Sequence, residues 1–163
     1  MSKNLSDETL SLPNFQIFRK DRDNLGGGVA IFVDKLLICR RISLPNEYDE
    51  LEICAVEIFS RNKTVKLICV YRPPSMLSET TNILIDCLKF LTSGCSYFVI
   101  CGDFNFPNLT WNPPHASGTG CSVNFLAFIN SEGFHQFVTE ETHTAGNVLD
   151  LVIVVSRSAK IPL

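Results

Sequence analysis

The stretch Tyr97-Phe-Val-Ile-Cys-Gly-Asp-Phe-Asn-Phe-Pro107 constrains this chain most. Tyr97 to Cys101 is an unbroken apolar run, the pattern of a strand buried on both faces of a sheet. Just before it, Ile83, Leu84, Cys87, Leu88 and Leu91 fall at helical spacing. This predicts an amphipathic helix over 78–91, with Ser78 as N-cap and Gly94 beyond its end. Helix followed by buried strand, with strands upstream, is the alternation of an α/β fold. Gly102 breaks the run, so Asp103 and Asn105 are expected just past the strand's C-terminal end. They share one side of the chain, with Phe104 directed the other way. A carboxylate and a carboxamide held there suit a hard cation and a phosphate oxygen. A plain Asx turn, set by backbone preference alone, has the same residues.

The rest of the chain supplies further strands. Phe15 to Phe18 alternates, and Arg19-Lys-Asp-Arg22 reads as a solvated charged cluster before a loop. Gly26-Gly-Gly28 is followed by an apolar strand, Val29 to Val33, and not by Gly-Lys-Ser/Thr, which excludes a nucleotide-binding loop. Residues 36–42 make another strand. Leu51 to Phe59 and Val65 to Tyr71 form a hairpin through Ser60-Arg-Asn-Lys63, with Glu57 on a solvated edge. Pro73 and Pro74 end the second strand and deliver Tyr71 and Arg72 at its terminus. Pro107 to Gly120 reads as a long loop carrying an exposed His115. Cys121 to Asn130 reads as a helix with Val123, Leu126, Ala127 and Ile129 inward. A short strand follows over Phe134 to Val138, then a strand from Val148 to Val155 in which Asp150 would be a buried carboxylate, costly unless paired.

The 163 residues are enough for one domain, and a net charge of -3 gives no general basic character for nucleic acid. A metal at a carboxylate site can still neutralise phosphates locally. Seven cysteines, an odd number with no Cys-x-x-Cys pair, read as reduced and mostly buried in an intracellular protein that is not secreted. No apolar run approaches membrane-spanning length.

Six motifs in order, Phe18-Arg-Lys-Asp-Arg22, Gly26 to Val33, Leu51 to Ile58, Val70-Tyr-Arg-Pro-Pro74, Gly102-Asp-Phe-Asn105 and Thr142 to Ile153, resemble the endonuclease domain of non-LTR retrotransposons. That family is a branch of the DNase I-like endonuclease/exonuclease/phosphatase superfamily. The resemblance implies an α/β (α+β) fold, a four-layer sandwich of two mixed β-sheets flanked by helices. It further implies a Mg²⁺-dependent (or Mn²⁺-dependent) DNA endonuclease nicking target DNA; the oligomeric state is left open, with a monomer expected. Asp103 would orient or deprotonate water and contact metal. Asn105 would hold a phosphate oxygen, Tyr71 would flank it and Asp150 would support the centre. Thr142 and Arg72 would meet the substrate.

The sequence also departs from the family. An early Asn strand, a strand ending in a metal-binding Glu, and a terminal Ser-Asp-His are not recognisable. Glu8-Thr9 is similar to the family's Glu-Thr pair, which makes Glu8 a candidate metal ligand, but Met1 to Asp7 is too polar for the expected preceding strand. His143 precedes Asp150 and does not match the catalytic histidine. The chain is therefore expected to be a single partial domain over 1–163. Three functions stay open: a metal-dependent endonuclease, a catalytically inactive fragment or non-cutting binding module, and a phosphoesterase acting on small phosphates.

Overall fold

The computed structural model describes residues 9–22, 28–118 and 120–155. Glu8 lies outside them. A hairpin of β1 (Phe15–Asp21) and β2 (Gly28–Asp34) forms a two-stranded antiparallel sheet. The charged Arg19-Lys-Asp segment, expected before a loop, belongs to β1.

The main sheet has six strands: β3 (Ile38–Arg41), β4 (Glu52–Ser60), β5 (Lys63–Tyr71), β6 (Phe98–Asp103), β9 (Phe134–Gln136) and β10 (Asp150–Val155). Their spatial order is β3-β4-β5-β6-β10-β9. The expected β4–β5 hairpin is present. The sheet is mixed, because β5 and β6 run parallel, joined by helix α1 (Ser78–Thr92), while the other neighbours are antiparallel. Ser78 is the first helical residue of α1 and not its cap. Leu77 occupies the cap position, and the Ser78 hydroxyl lies 3.2 Å from Cys121 Sγ.

Alternation along the strands produces two cores. Ile53, Ala55, Ile68, Val70, Ile100, Leu151 and Ile153 point to the face covered by α1 and α2 (Cys121–Ser131) and meet Leu84, Leu88, Leu91, Phe125 and Phe128. The inward side of α2 differs from expectation. Phe125, Phe128 and Ile129 are buried, while Val123 is exposed. Nearly every residue from Val123 to Ile129 is apolar, so spacing alone does not choose a face. The choice is made by an aromatic cluster in which Phe104 and Phe106 lie 5.0 and 4.8 Å from Phe125.

On the opposite face, Cys54 and Val56 pack with Val29, Ile31 and Val33 of the β1–β2 hairpin. That hairpin contacts β4 and β5. On β6, consequently, Phe98 and Ile100 are buried while Val99 and Cys101 are only half-buried, so this strand is not buried on both faces as expected. Three layers are described: helices, mixed sheet and hairpin. The segment 107–120 contains a small hairpin of β7 (Leu109–Trp111) and β8 (Pro114–Ala116), anchored by buried Leu109, where a loop was expected.

Candidate active site

Strand register assembles the site. At one end of the main sheet Glu52 pairs with Tyr71, Tyr71 with Asp103, and Asp103 with Asp150. Paired positions on neighbouring strands share a face, about 4.8 Å apart. Glu52, Tyr71, Asp103 and Asp150 therefore form one row on the hairpin side. This end is the C-terminal end of the parallel strands β5 and β6, where open α/β sheets place ligands.

Gly102 does not end the strand, as expected from sequence, but lies within β6. Its φ is +142°, and a Cβ built there would fall 1.8 Å from the Val70 carbonyl oxygen. The glycine is needed because β5 and β6 approach too closely for any side chain. Past Asp103 the chain turns sharply. Asn105 adopts φ 48°, which asparagine tolerates better than most residues. Its amide donates to Asp103 Oδ1 at 3.0 Å, and its Nδ2 donates to the Arg72 carbonyl at 2.9 Å. The Asp-x-Asn segment is thus both an Asx turn and a brace between two strand ends.

Arg72 was expected to meet substrate and does something else. It is 4% exposed, and its guanidinium donates to the carbonyls of Asn105 at 3.1 Å and Met76 at 3.3 Å. It also lies 4.2 Å from the Phe106 ring centre. Burial pulls its pKa down, but the group is fully engaged in holding the 103–106 turn from below. A strand terminus at Pro-Pro looks open in sequence; α1 folds back over it.

Asp150 also differs from expectation. It is exposed, at the first position of β10, while Leu149 and Leu151 on either side of it are buried. No burial cost arises there. Thr142 fastens the segment before it, its hydroxyl accepting the amides of Leu149 at 2.9 Å and Asp150 at 3.0 Å. His143, which does not fit the family pattern, lies near enough for its charge to be felt at Asp103. Its Nδ1 accepts the Ala145 amide at 3.1 Å.

The Asp103 carboxyl is held above the ordinary carboxylate range. Burial is the largest cause and the Asp150 charge adds to it, while the Asn105 amide and His143 oppose it. The folded pKa exceeds the unfolded one, so this group's contribution to stability is greatest at low pH. It is lost as pH rises from about 4 through the raised folded value. In metal-free protein labelled at aspartate carboxyl carbons, Asp103 is expected to titrate above about 4, and Asp150→Asn to lower its midpoint. A midpoint that Asp150→Asn leaves unmoved would show that the two carboxylates do not interact.

Two carboxylates with a neighbouring carboxamide form an oxygen-donor set of the kind a hydrated Mg²⁺ uses, since that ion takes one or two protein carboxylates and keeps waters. Repulsion between Asp103 and Asp150 is the strain a cation would relieve. Among the described residues no three His, Cys, Asp or Glu side chains converge to hold a metal by themselves. Sequence reasoning weighed Glu52 without giving it a role and read Arg22 as part of a solvated cluster; both join the row at Tyr71. A charge cluster beside a loop has no signal that separates a solvated face from a site edge; an acid opposite Tyr71 in a hairpin register does.

A family model described as endonuclease-reverse transcriptase matches residues 65–161, more than half of the chain. Among solved structures, the chain is similar to the endonuclease domain of TRAS1, a telomere-specific non-LTR retrotransposon. Identity is 13% over 89% of this chain and 68% of that one, with a TM-score of 0.64. The 3′ phosphatase NExo from Neisseria, bound to a product DNA hairpin, is 12% identical over 96% and 73%, with a TM-score of 0.59. The mannosyl-6-phosphatase Bt3783 of Bacteroides thetaiotaomicron is 14% identical over 92% and 66%, with a TM-score of 0.56. The chain thus spans about two thirds of these structures, and likeness at such identity concerns the fold. No curated protein matches the sequence. The matched segment runs from β5 through β10 and includes Tyr71, Asp103 and Asp150: the chain belongs to the endonuclease-reverse transcriptase family, within the DNase I-like endonuclease/exonuclease/phosphatase fold.

Proposed function

We propose that this chain carries the phosphodiester-hydrolysing site of a DNA endonuclease of the non-LTR retrotransposon kind, one that nicks target DNA inside the cell. The observation that carries this reading is the in-register row Tyr71–Asp103–Asp150 closed by the Asn105 turn. Asp103 and Asp150 would hold Mg²⁺ or Mn²⁺. When bound, that ion neutralises charge developing on the phosphoryl oxygens. Asp103 orients the attacking water and takes its proton. Asn105, braced against the Arg72 carbonyl, keeps a second N–H on Nδ2 for a phosphate oxygen. Tyr71 flanks the phosphate from the neighbouring strand, and Thr142 fixes the segment that carries Asp150. DNA as substrate draws support from two similar structures that hold it, NExo with a product hairpin and the Danio rerio TDP2 with a single-strand product.

One observation favours a second reading, a binding module that does not cut: among the described residues no group of three His, Cys, Asp or Glu side chains could hold a metal. Phosphatases among the similar structures add a phosphomonoester alternative. Rates on bis(p-nitrophenyl) phosphate and on p-nitrophenyl phosphate, each with Mg²⁺ and with Mn²⁺, separate the three. The endonuclease reading expects the diester to be hydrolysed faster. A faster monoester rate would move the chain to the phosphatases, and no turnover of either to the non-cutting module.

A further inference from the structure

Arg22 lies just past the end of β1, beside the row and not out in solvent. Its Nε donates to Glu52 Oε1 at 2.8 Å, and its Nη2 lies 2.6 Å from the same oxygen. Its guanidinium carbon lies 4.9 Å from the centre of the Tyr71 ring. Glu52 is the cross-strand partner of Tyr71, so the acid, the ring and the guanidinium meet over one register position.

Most surface ion pairs contribute little, and the Arg40–Glu57 pair serves for comparison. Arg40 and Glu57, also facing each other across two strands, lie 2.7 Å apart with the arginine side chain 70% exposed, beside Phe59 and away from the row. The Arg22 and Glu52 side chains are 28% and 12% exposed. Partial desolvation strengthens both the pair and the cation–π contact. The planar fork also gives a geometry that a lysine would not reproduce. Tyr71 would otherwise be free to turn about two side-chain bonds at a strand terminus. With one face against a guanidinium, the ring has one orientation.

We infer that Arg22 and Glu52 are a positioning pair for Tyr71: Glu52 aims the guanidinium, and the guanidinium fixes the ring that flanks the phosphate. The catalytic consequence rests on the function proposed above; the orientation of Tyr71 does not. In this role their loss acts on the chemical step through Tyr71.

The chain has three tyrosines, which makes 3-fluorotyrosine labelling and ¹⁹F NMR a direct readout. Tyr71→Phe assigns the Tyr71 signal. Arg22→Gln and the near-isosteric Glu52→Gln are each expected to shift and broaden that signal. The Tyr97 signal, at the other end of the sheet beside Lys63, should stay fixed and report an intact fold. A Tyr71 signal unmoved in both variants overturns the inference, whether or not the chain cleaves anything. On a diester substrate both variants are expected to lower kcat about tenfold with KM unchanged. In the Tyr71→Ala background the same Arg22→Gln change should cost less than about twofold, because the ring it positions is gone. Equal losses in the two backgrounds, or a loss confined to KM, would assign Arg22 to substrate binding instead and overturn the positioning role. No turnover by the wild-type chain, together with a shifted Tyr71 signal, would sink the proposed function and leave the positioning pair standing.

Discussion

Alanine at position 103 is expected to lower kcat/KM for diester cleavage by about 10³-fold or more, the range for loss of a positioned proton acceptor. Asp103 is the one acid whose two neighbours in the row, Tyr71 and Asp150, are both proposed site residues. It is also the acid whose affinity for a proton is raised. Its removal should not unfold the chain. The variant loses the acceptor of the Asn105 amide, worth about 1 kcal/mol. It also sheds a half-buried carboxylate repelled by Asp150, which offsets part of that loss. Initial rates beside thermal melting test both halves. Retention of more than about a tenth of the activity would remove Asp103 from the chemistry. A collapse of the melting transition would make its role structural.

Gly102→Ala carries the largest expected effect on stability. The added methyl would lie 1.8 Å from the Val70 oxygen, 2.8 Å from its carbonyl carbon and 3.0 Å from its nitrogen. All three are backbone atoms, so no side chain can rotate away, and φ of +142° is itself unfavourable for alanine. The parallel β5–β6 pairing would have to open at its site end. A loss above about 4 kcal/mol is expected, a large part of a typical domain's 5–15 kcal/mol. Gly94→Ala is the matched control: φ is +66° with open space around the added carbon, and the cost should be about 1–2 kcal/mol. Urea denaturation measures both. A Gly102→Ala protein within about 1 kcal/mol of wild type would contradict the register that places Tyr71 beside Asp103.

Much of this fold is legible in the sequence where period and punctuation agree. The β4–β5 hairpin and α1 follow from alternation, a polar turn and helical spacing. The resemblance to retrotransposon endonucleases rests on motif order, which survives at low identity. What the sequence does not disclose depends on contacts between distant segments. Asp150 looks buried because Leu149 and Leu151 flank it, yet it sits at the start of β10, exposed on the face it shares with Asp103. Arg72 looks available because two prolines follow, yet α1 and the 103–106 turn enclose it. Gly102 reads as a strand terminator, whereas its cause is the approach of Val70 from a strand about thirty residues earlier. Asp103, Asn105 and Tyr71 are visible as motif residues. Their alignment with Glu52 and Asp150 requires the order β4-β5-β6-β10, in which the last pair joins strands separated by a hairpin, a helix and a strand. The Arg19 to Arg22 cluster shows the same limit. Its last arginine belongs to the edge of the site because Glu52 and Tyr71 pair across a hairpin thirty residues on.

Incubation of supercoiled plasmid with the folded chain in Mg²⁺, alongside an EDTA control and the Asp103→Ala protein, tests the central claim most directly. The predicted result is conversion of supercoiled to open-circular DNA by the wild-type chain, absent in both controls. Plasmid that stays supercoiled in Mg²⁺ and in Mn²⁺, with a protein shown by melting to be folded, would contradict it and leave the row of aspartates as an inheritance of the family fold without its activity.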